Sequence, residues 1–326
     1  MADFNDVIGQ EQIVTHLQNA ILSGKVAHAY VIHGERGSGK EFISKIFAKA
    51  LQCESDEEKP CGVCRSCKQA AGNNHPDIIL VQHEKPNTIG VEDIRQKING
   101  DIAIKPYSGS RKVYIVNECE KMTVQAQNAL LKTLEEPPAH VMFLLLAERA
   151  EAFLPTILSR VVTMKIRPLS EETVAEYLMG TGLSAEESHT LAAYSQGRIG
   201  QALELMEDDA FREMRQDILG KLEALPSMHE GEAYLMAKEL EAYKSDLRFL
   251  DIMELWYRDL LTAKSLREER YLIQKDKKEA IFRGANEPAE KLAKKAEAVR
   301  KARIRLSQNA NFRLTMEVML MDLKEN

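Results

Sequence analysis

The sequence predicts an α/β domain, a parallel sheet with helices on both faces, followed by an all-helical remainder. Three observations carry this. Short apolar runs alternate with helical patterns through the first half of the chain, a glycine-rich loop follows the first of these runs, and the strand signal stops near Ile166. Continuous apolar runs suit strands buried on both faces, which parallel sheets achieve with crossover helices. A chain of 326 residues with 44% hydrophobic content has room for two or three domains with their own cores.

The runs are "AYVIHG", "PDIILV", "KVYIVNE", "HVMFLLLAE" and "VTMKI". After the glycine-rich loop, Ile43, Ile46, Phe47, Ala50 and Leu51 recur at i, i+3, i+4, i+7 and i+8, a spacing that lays one apolar helix face on the sheet. A later helix begins after Thr123, whose hydroxyl suits an N-cap, and stops at "EEPP", where proline cannot continue it. Pro168 and Ser170 open a short helical segment that runs to about Met206. Long amphipathic helices follow, interrupted by a charged stretch near Gly284 to Pro288. In the last helix Leu306, Ala310, Leu314, Val318 and Met321 keep helical spacing, as bundle core or a partner-facing stripe would.

Charge and targeting exclude some classes. A net charge of −6 argues against one chain gripping DNA by itself, because phosphate neutralisation needs clustered Lys and Arg. No apolar run approaches the roughly 18 residues of a membrane span. "MADFNDVIGQ" also lacks a charged-then-apolar signal pattern, so no membrane partner and a cytoplasmic location are expected.

The stretch "HGERGSGKEF", His33 to Phe42, has the form of a phosphate-binding loop. In G-x-x-x-x-G-K-[ST], backbone amides cradle phosphates, the lysine reaches the β and γ phosphates, and the final hydroxyl ligates magnesium. Gly34, Gly37, Gly39 and Lys40 supply such a site, but Glu41 stands in the hydroxyl position. A later strand end normally supplies an aspartate to the metal, and "VYIVNE" offers Asn117, followed by Glu118. Two missing magnesium ligands argue against ATP hydrolysis and put ATP/Mg2+ binding in question, while amides and Lys40 leave a degenerate site able to hold a nucleotide.

Cys53, Cys61, Cys64 and Cys67 are spaced C-x7-C-x2-C-x2-C directly after the loop's helix. Four thiolates close a tetrahedral zinc site, and with no open position such a site is structural. An iron–sulfur cluster is the rival occupant, although nothing else in the chain suggests electron transfer. Cys119 lies alone and reads as a small packing residue.

Several motifs then converge. "IGQEQIVTHLQNAILSGKVAHAYVIHG", the cysteine module, "NALLKTLEEPP", "PTILSRV" and the terminal "NANFRL" occur in the order found in the clamp-loader subunits of bacterial DNA polymerase III, and the chain resembles the delta-prime branch of that AAA+ family over nearly its whole length. The resemblance implies a P-loop α/β domain over residues 1–166 with the zinc module inserted at 53–67, a helical lid over 167–207, and a collar over 208–326 that builds a pentameric ring with gamma/tau and delta subunits. The ring would place the sliding clamp on primed DNA. "SRV" is similar to the family's Ser-Arg-Cys motif, which implies that Arg160 is an arginine finger acting in a neighbour's ATP site, supported by Ser159; Val161 replaces the cysteine. Motor subunits of the family carry an intact loop, an acidic pair and a polar sensor; the corresponding positions here are Glu41, Asn117–Glu118 and Ala147, and all but Glu118 depart. Arg198, in "SQGRIGQALEL", falls at the lid's sensor arginine and completes the degenerate nucleotide site.

The pattern is that of a stator without its own ATPase. Two other readings remain open from sequence. A motor subunit would need Glu41 as a metal ligand. A free-standing zinc-containing nucleic-acid-binding protein would use Arg65 and Lys68 beside the metal, against the chain's net acidity.

Overall fold

The computed structural model describes residues 1–81 and 85–325. Gln82, His83 and Glu84 of the expected first domain, and Asn326 at the end of the expected third, lie outside the described residues. All five apolar runs form strands: β1 (Ala29–His33), β2 (Ile78–Val81), β3 (Lys112–Val116), β4 (Val141–Ala147) and β5 (Val162–Lys165). They pair in parallel in the order β2-β3-β4-β1-β5. Between them run α1 (Glu11–Leu22) before β1, α2 (Lys40–Leu51) and α3 (Arg65–Ala71) after it, α4 (Val91–Ile94) before β3, α5 (Val124–Glu135) before β4, and the short α6 (Pro155–Leu158) before β5.

Strand β4 shows why these runs are unbroken. All its residues are buried, with Phe143 and Leu145 in a core shared with Tyr114 and Leu130, and Met142, Leu144 and Leu146 in a second core shared with Phe47 and Ile43. Side chains alternate across a strand, so covering both sheet faces demands apolar residues at every position. Helix α2 meets the second core through Ile43, Ile46, Phe47 and Ala50, with Leu51 half-buried. Thr123 caps α5 by accepting from the amide of Ala126. Cys119 is fully buried. Strand β1 is an interior strand, paired with β4 and with the edge strand β5, so the loop that follows it emerges at the carboxyl ends of the strands, where open parallel sheets bind ligands.

The chain divides into two compact units. One comprises Met1–Thr173 together with Gly197–Gln201; the other comprises Val174–Gln196 and the chain from Ala202 onward. The second unit is helical throughout, from α7 (Glu171–Gly180), which begins in the first, through α8 (Ala185–Ser195), α9 (Ile199–Glu207), α10 (Asp209–Ala224), α11 (Glu230–Glu239), α12 (Arg248–Leu266), α13 (Lys278–Gly284), α14 (Ala289–Ser307) and α15 (Phe312–Glu325). Helix α12 packs on α10, α13 and α14, and α15 packs on α11 and α14. Tyr194 and Leu205 join Phe211, Phe249, Trp256 and Met316 in its core. Among the described residues no helix is long and apolar enough to cross a membrane.

The C-terminal helix differs from its sequence expectation. The apolar stripe from Leu306 to Met321 does not lie on one helix: α14 ends at Ser307, and a turn containing Asn309 at φ 61° precedes α15. On α15 the buried face is Phe312, Met316, Met319, Leu320 and Leu323, while Leu314, Val318 and Met321 are exposed. The helix is apolar on two faces, and helical spacing alone does not say which one the bundle takes.

Candidate functional site

The loop after β1 turns sharply at three glycines. The Gly34 amide donates to the Ala147 carbonyl at 3.1 Å, tying the loop to the end of β4. Gly37 and Gly39 adopt φ 77° and 89°, the left-handed region glycine reaches at little cost. Gly37 is constrained a second time, since a Cβ there would lie 2.7 Å from the backbone nitrogen of Gln201. Residues 197–201 belong to the same unit and close over the loop, with the Gly200 amide donating to the Gly37 carbonyl at 2.9 Å.

Several of the loop's polar groups are bonded within the chain, whereas the Ser38 hydroxyl and Asn117 Oδ1 are buried without a hydrogen-bond partner. Lys40 Nζ donates to the carbonyls of Gly34 at 2.5 Å and Glu35 at 2.9 Å. Burial lowers the pKa of Lys40, against opposing pulls from Glu120, Glu148 and Glu35. Arg198, the expected sensor, pairs with Glu35 at 3.2 Å. Asn117, at the end of β3, donates through Nδ2 to Glu41 Oε2 at 2.8 Å, and Glu41 Oε1 pairs with Lys45 at 2.7 Å. The two positions that would hold magnesium are thus joined directly to each other. Glu118 sits at φ 53° and pairs with Lys121 at 2.7 Å, and Ala147, at the position the resemblance assigns to a polar sensor, is the buried last residue of β4. Neither Glu35 nor Gly200 was foreseeable from motif spacing, because Glu35 occupies a variable position and Gly200 matters only through a contact across the fold.

Ser159 and Arg160 follow α6, which Pro155 starts at its first turn. One guanidinium nitrogen of Arg160 donates to the Thr156 carbonyl at 2.9 Å and to Ser159 Oγ at 3.1 Å. The other pairs with Glu135 at 3.0 Å, and the arginine side chain is 37% exposed. None of these partners belongs to the loop after β1.

The four cysteines converge as their spacing predicts. One ligand sulfur from each of Cys53, Cys61, Cys64 and Cys67 lies within 4.8 Å of the others. Thiolates about 2.3 Å from a tetrahedral zinc stand roughly 3.8 Å apart, so small side-chain adjustments close the site. Backbone amides already point at the sulfurs, from Cys61 to Cys53, Cys64 to Cys61 and Cys67 to Cys64, at 3.3 to 3.4 Å. The amides of Cys64 and Val63 draw the Cys61 thiol down to about 6, whereas burial pushes Cys53 and Cys67 up. The donor set and its spacing fit a single tetrahedral ion held by side chains of the loop and of α3.

Two buried groups stand between the module and β2, His75 bonded to α3 and Asp77 bonded to the Tyr107–Gly109 turn. His75 Nδ1 accepts from the Asp77 amide at 3.1 Å, so Nε2 carries the proton and donates to Ser66 Oγ at 3.0 Å. Asp77, fully buried, accepts from the amides of Tyr107, Ser108 and Gly109 and from the Ser108 hydroxyl. Burial raises its pKa, but these donors together outweigh burial and hold it below the usual carboxylate range.

Comparison with known proteins adds a second line of observation. The family model "DNA polymerase III, delta subunit" matches residues 9–170, and "DNA polymerase III, delta subunit, C terminal" matches residues 210–325. DNA polymerase III subunit delta' of Bacillus subtilis is 29% identical over 323 residues, covering 97% of this chain and 96% of that protein. DNA polymerase III subunit tau of the same organism is 30% identical over 341 residues, covering 97% of this chain and 60% of the longer relative. A solved gamma-subunit-related protein from Thermotoga maritima aligns over 94% of this chain and 98% of its own, at 19% identity and a TM-score of 0.42.

Proposed function

The chain belongs to the family of DNA polymerase III clamp-loader subunits that includes delta-prime, gamma and tau, and from that premise we propose that it is a stator of the delta-prime kind, which supplies an arginine finger and does not hydrolyse ATP. The observation that carries this is the 2.8 Å hydrogen bond between Asn117 and Glu41. Magnesium in such loops is held by a hydroxyl and an aspartate. Here the corresponding side chains lack that pair of ligands, and the Asn117 amide nitrogen donates to Glu41 while Asn117 Oδ1 stays buried without a hydrogen-bond partner. The Arg198–Glu35 pair and the Lys40 contacts support the same reading, since each engages a group that would otherwise meet phosphate. Gly34, Gly37, Gly39, Lys40 and Arg198 then form a vestigial nucleotide cradle.

Arg160 is the reacting contribution. Partly exposed after α6 and bonded to Glu135, Thr156 and Ser159, it reaches the ATP of an adjoining gamma/tau subunit and stabilises charge on the transferring phosphoryl group; Ser159 helps hold it. Residues 167–207 act as lid and 208–326 as collar. The exposed Leu314, Val318 and Met321 supply the collar with an apolar surface for ring assembly with gamma/tau and delta. The ring opens the sliding clamp and places it on primed DNA in the cytoplasm. Cys53, Cys61, Cys64 and Cys67 hold one structural zinc ion.

Reconstituted complexes test this reading. Arg160→Ala leaves assembly intact and lowers ATP turnover at the adjoining site by roughly a thousandfold or more, the scale of an arginine finger supplied in trans. Unchanged turnover and clamp loading would remove the assignment.

A further inference from the structure

Glu135 is the last residue of α5 and stands immediately before Glu136 and two prolines. A carboxylate there is locally unfavourable, because the carbonyl end of a helix already carries partial negative charge. Residues that break a local rule are expected at sites where another gain compensates. The gain visible here is the 3.0 Å ion pair with Arg160. Leu134, 1% exposed, anchors the end of α5 in the core, so the Glu135 carboxylate is presented from a fixed base.

We propose that Glu135 is a positioning residue for Arg160. Its carboxylate holds one guanidinium nitrogen, while the Thr156 carbonyl and Ser159 hydroxyl hold the other. Fixing a long, flexible arginine before the neighbour arrives removes side-chain entropy that contact with the phosphate would otherwise cost. The remainder of the N–H fork stays available to a phosphoryl oxygen. The inference rests on the reading of Arg160 as the finger, and names the group that aims it.

The test uses the reconstituted complex and follows ATP turnover at the site this subunit faces. Glu135→Ala lowers kcat about tenfold with KM for ATP unchanged, since binding of the nucleotide belongs to the neighbour. Glu135→Gln restores most of the loss, because its amide oxygen still accepts from the guanidinium. The double variant Glu135→Ala/Arg160→Ala is no slower than Arg160→Ala alone. Either full activity of Glu135→Ala or multiplying losses in the double variant overturns the positioning role, and both leave the finger itself standing if Arg160→Ala is slow. Full activity of Arg160→Ala overturns the finger reading and the positioning role with it.

Discussion

The loop after β1 and the cysteine module lie at opposite ends of α2, and they treat their ligand-type side chains in opposite ways. In the loop, Lys40, Glu41, Asn117, Glu35 and Arg198 are bonded within the chain. In the module, four thiols converge and backbone amides point at them. The glycines keep the loop's shape, because Gly37 and Gly39 satisfy backbone and packing demands that persist whether or not a nucleotide binds. Side-chain chemistry is a separate requirement. A loop can keep its backbone and lose its reaction, whereas a metal site has no backbone scaffold that survives the loss of its ligands.

The largest effect expected from this contrast is at the metal. Cys61→Ser, or removal of the ion by a chelator, should release one zinc per chain and lower Tm by several degrees, at roughly 2–4 °C per kcal/mol for a domain of this size. Adding ATP with magnesium should shift Tm by less than about 1 °C, since a ligand stabilises only in proportion to its binding. Equal responses at the two sites, measured by metal analysis and thermal melts, would erase the contrast.

A smaller effect is expected where the module's neighbourhood joins the sheet. Asp77→Asn removes a buried carboxylate that accepts from three backbone amides, at a cost of about 1–3 kcal/mol near neutral pH. The pKa of Asp77 is lowered in the folded state. Its contribution is therefore fully present above the unfolded value near about 4 and is lost as pH falls through the lowered folded value. Denaturant melts of the two proteins should converge at acidic pH; a constant difference across the range would show that the charge on Asp77 is not what stabilises the Tyr107–Gly109 turn.

Much of this was legible in the sequence, for identifiable reasons. Parallel strands covered on both faces leave unbroken apolar runs, so the five strands could be read directly. Thr123 and the prolines after Glu136 marked the ends of α5. The convergence of the four cysteines was legible because a shared tetrahedral ligand site would demand close spacing of this kind. The α15 stripe was misplaced because the helix is apolar on two faces and Asn309 interrupts the register with a turn that hydrophobic spacing does not reveal. The loop's internal closure was out of reach for a different reason: Asn117 and Glu41 are 76 residues apart, and each looks like an isolated loss until the fold brings them together. Glu35 and Arg198 share that history.

The measurement that bears most directly on the stator reading is equilibrium binding of ATP, with and without magnesium, to the purified chain and to Glu41→Thr/Asn117→Asp, with hydrolysis followed in the same samples. The wild-type chain should show no magnesium-dependent binding and no turnover, while the double variant, which restores a hydroxyl and a carboxylate to the metal position, should gain magnesium-dependent affinity. Magnesium-dependent binding with turnover by the wild-type chain would contradict the account and place Glu41 among the ligands of a working motor.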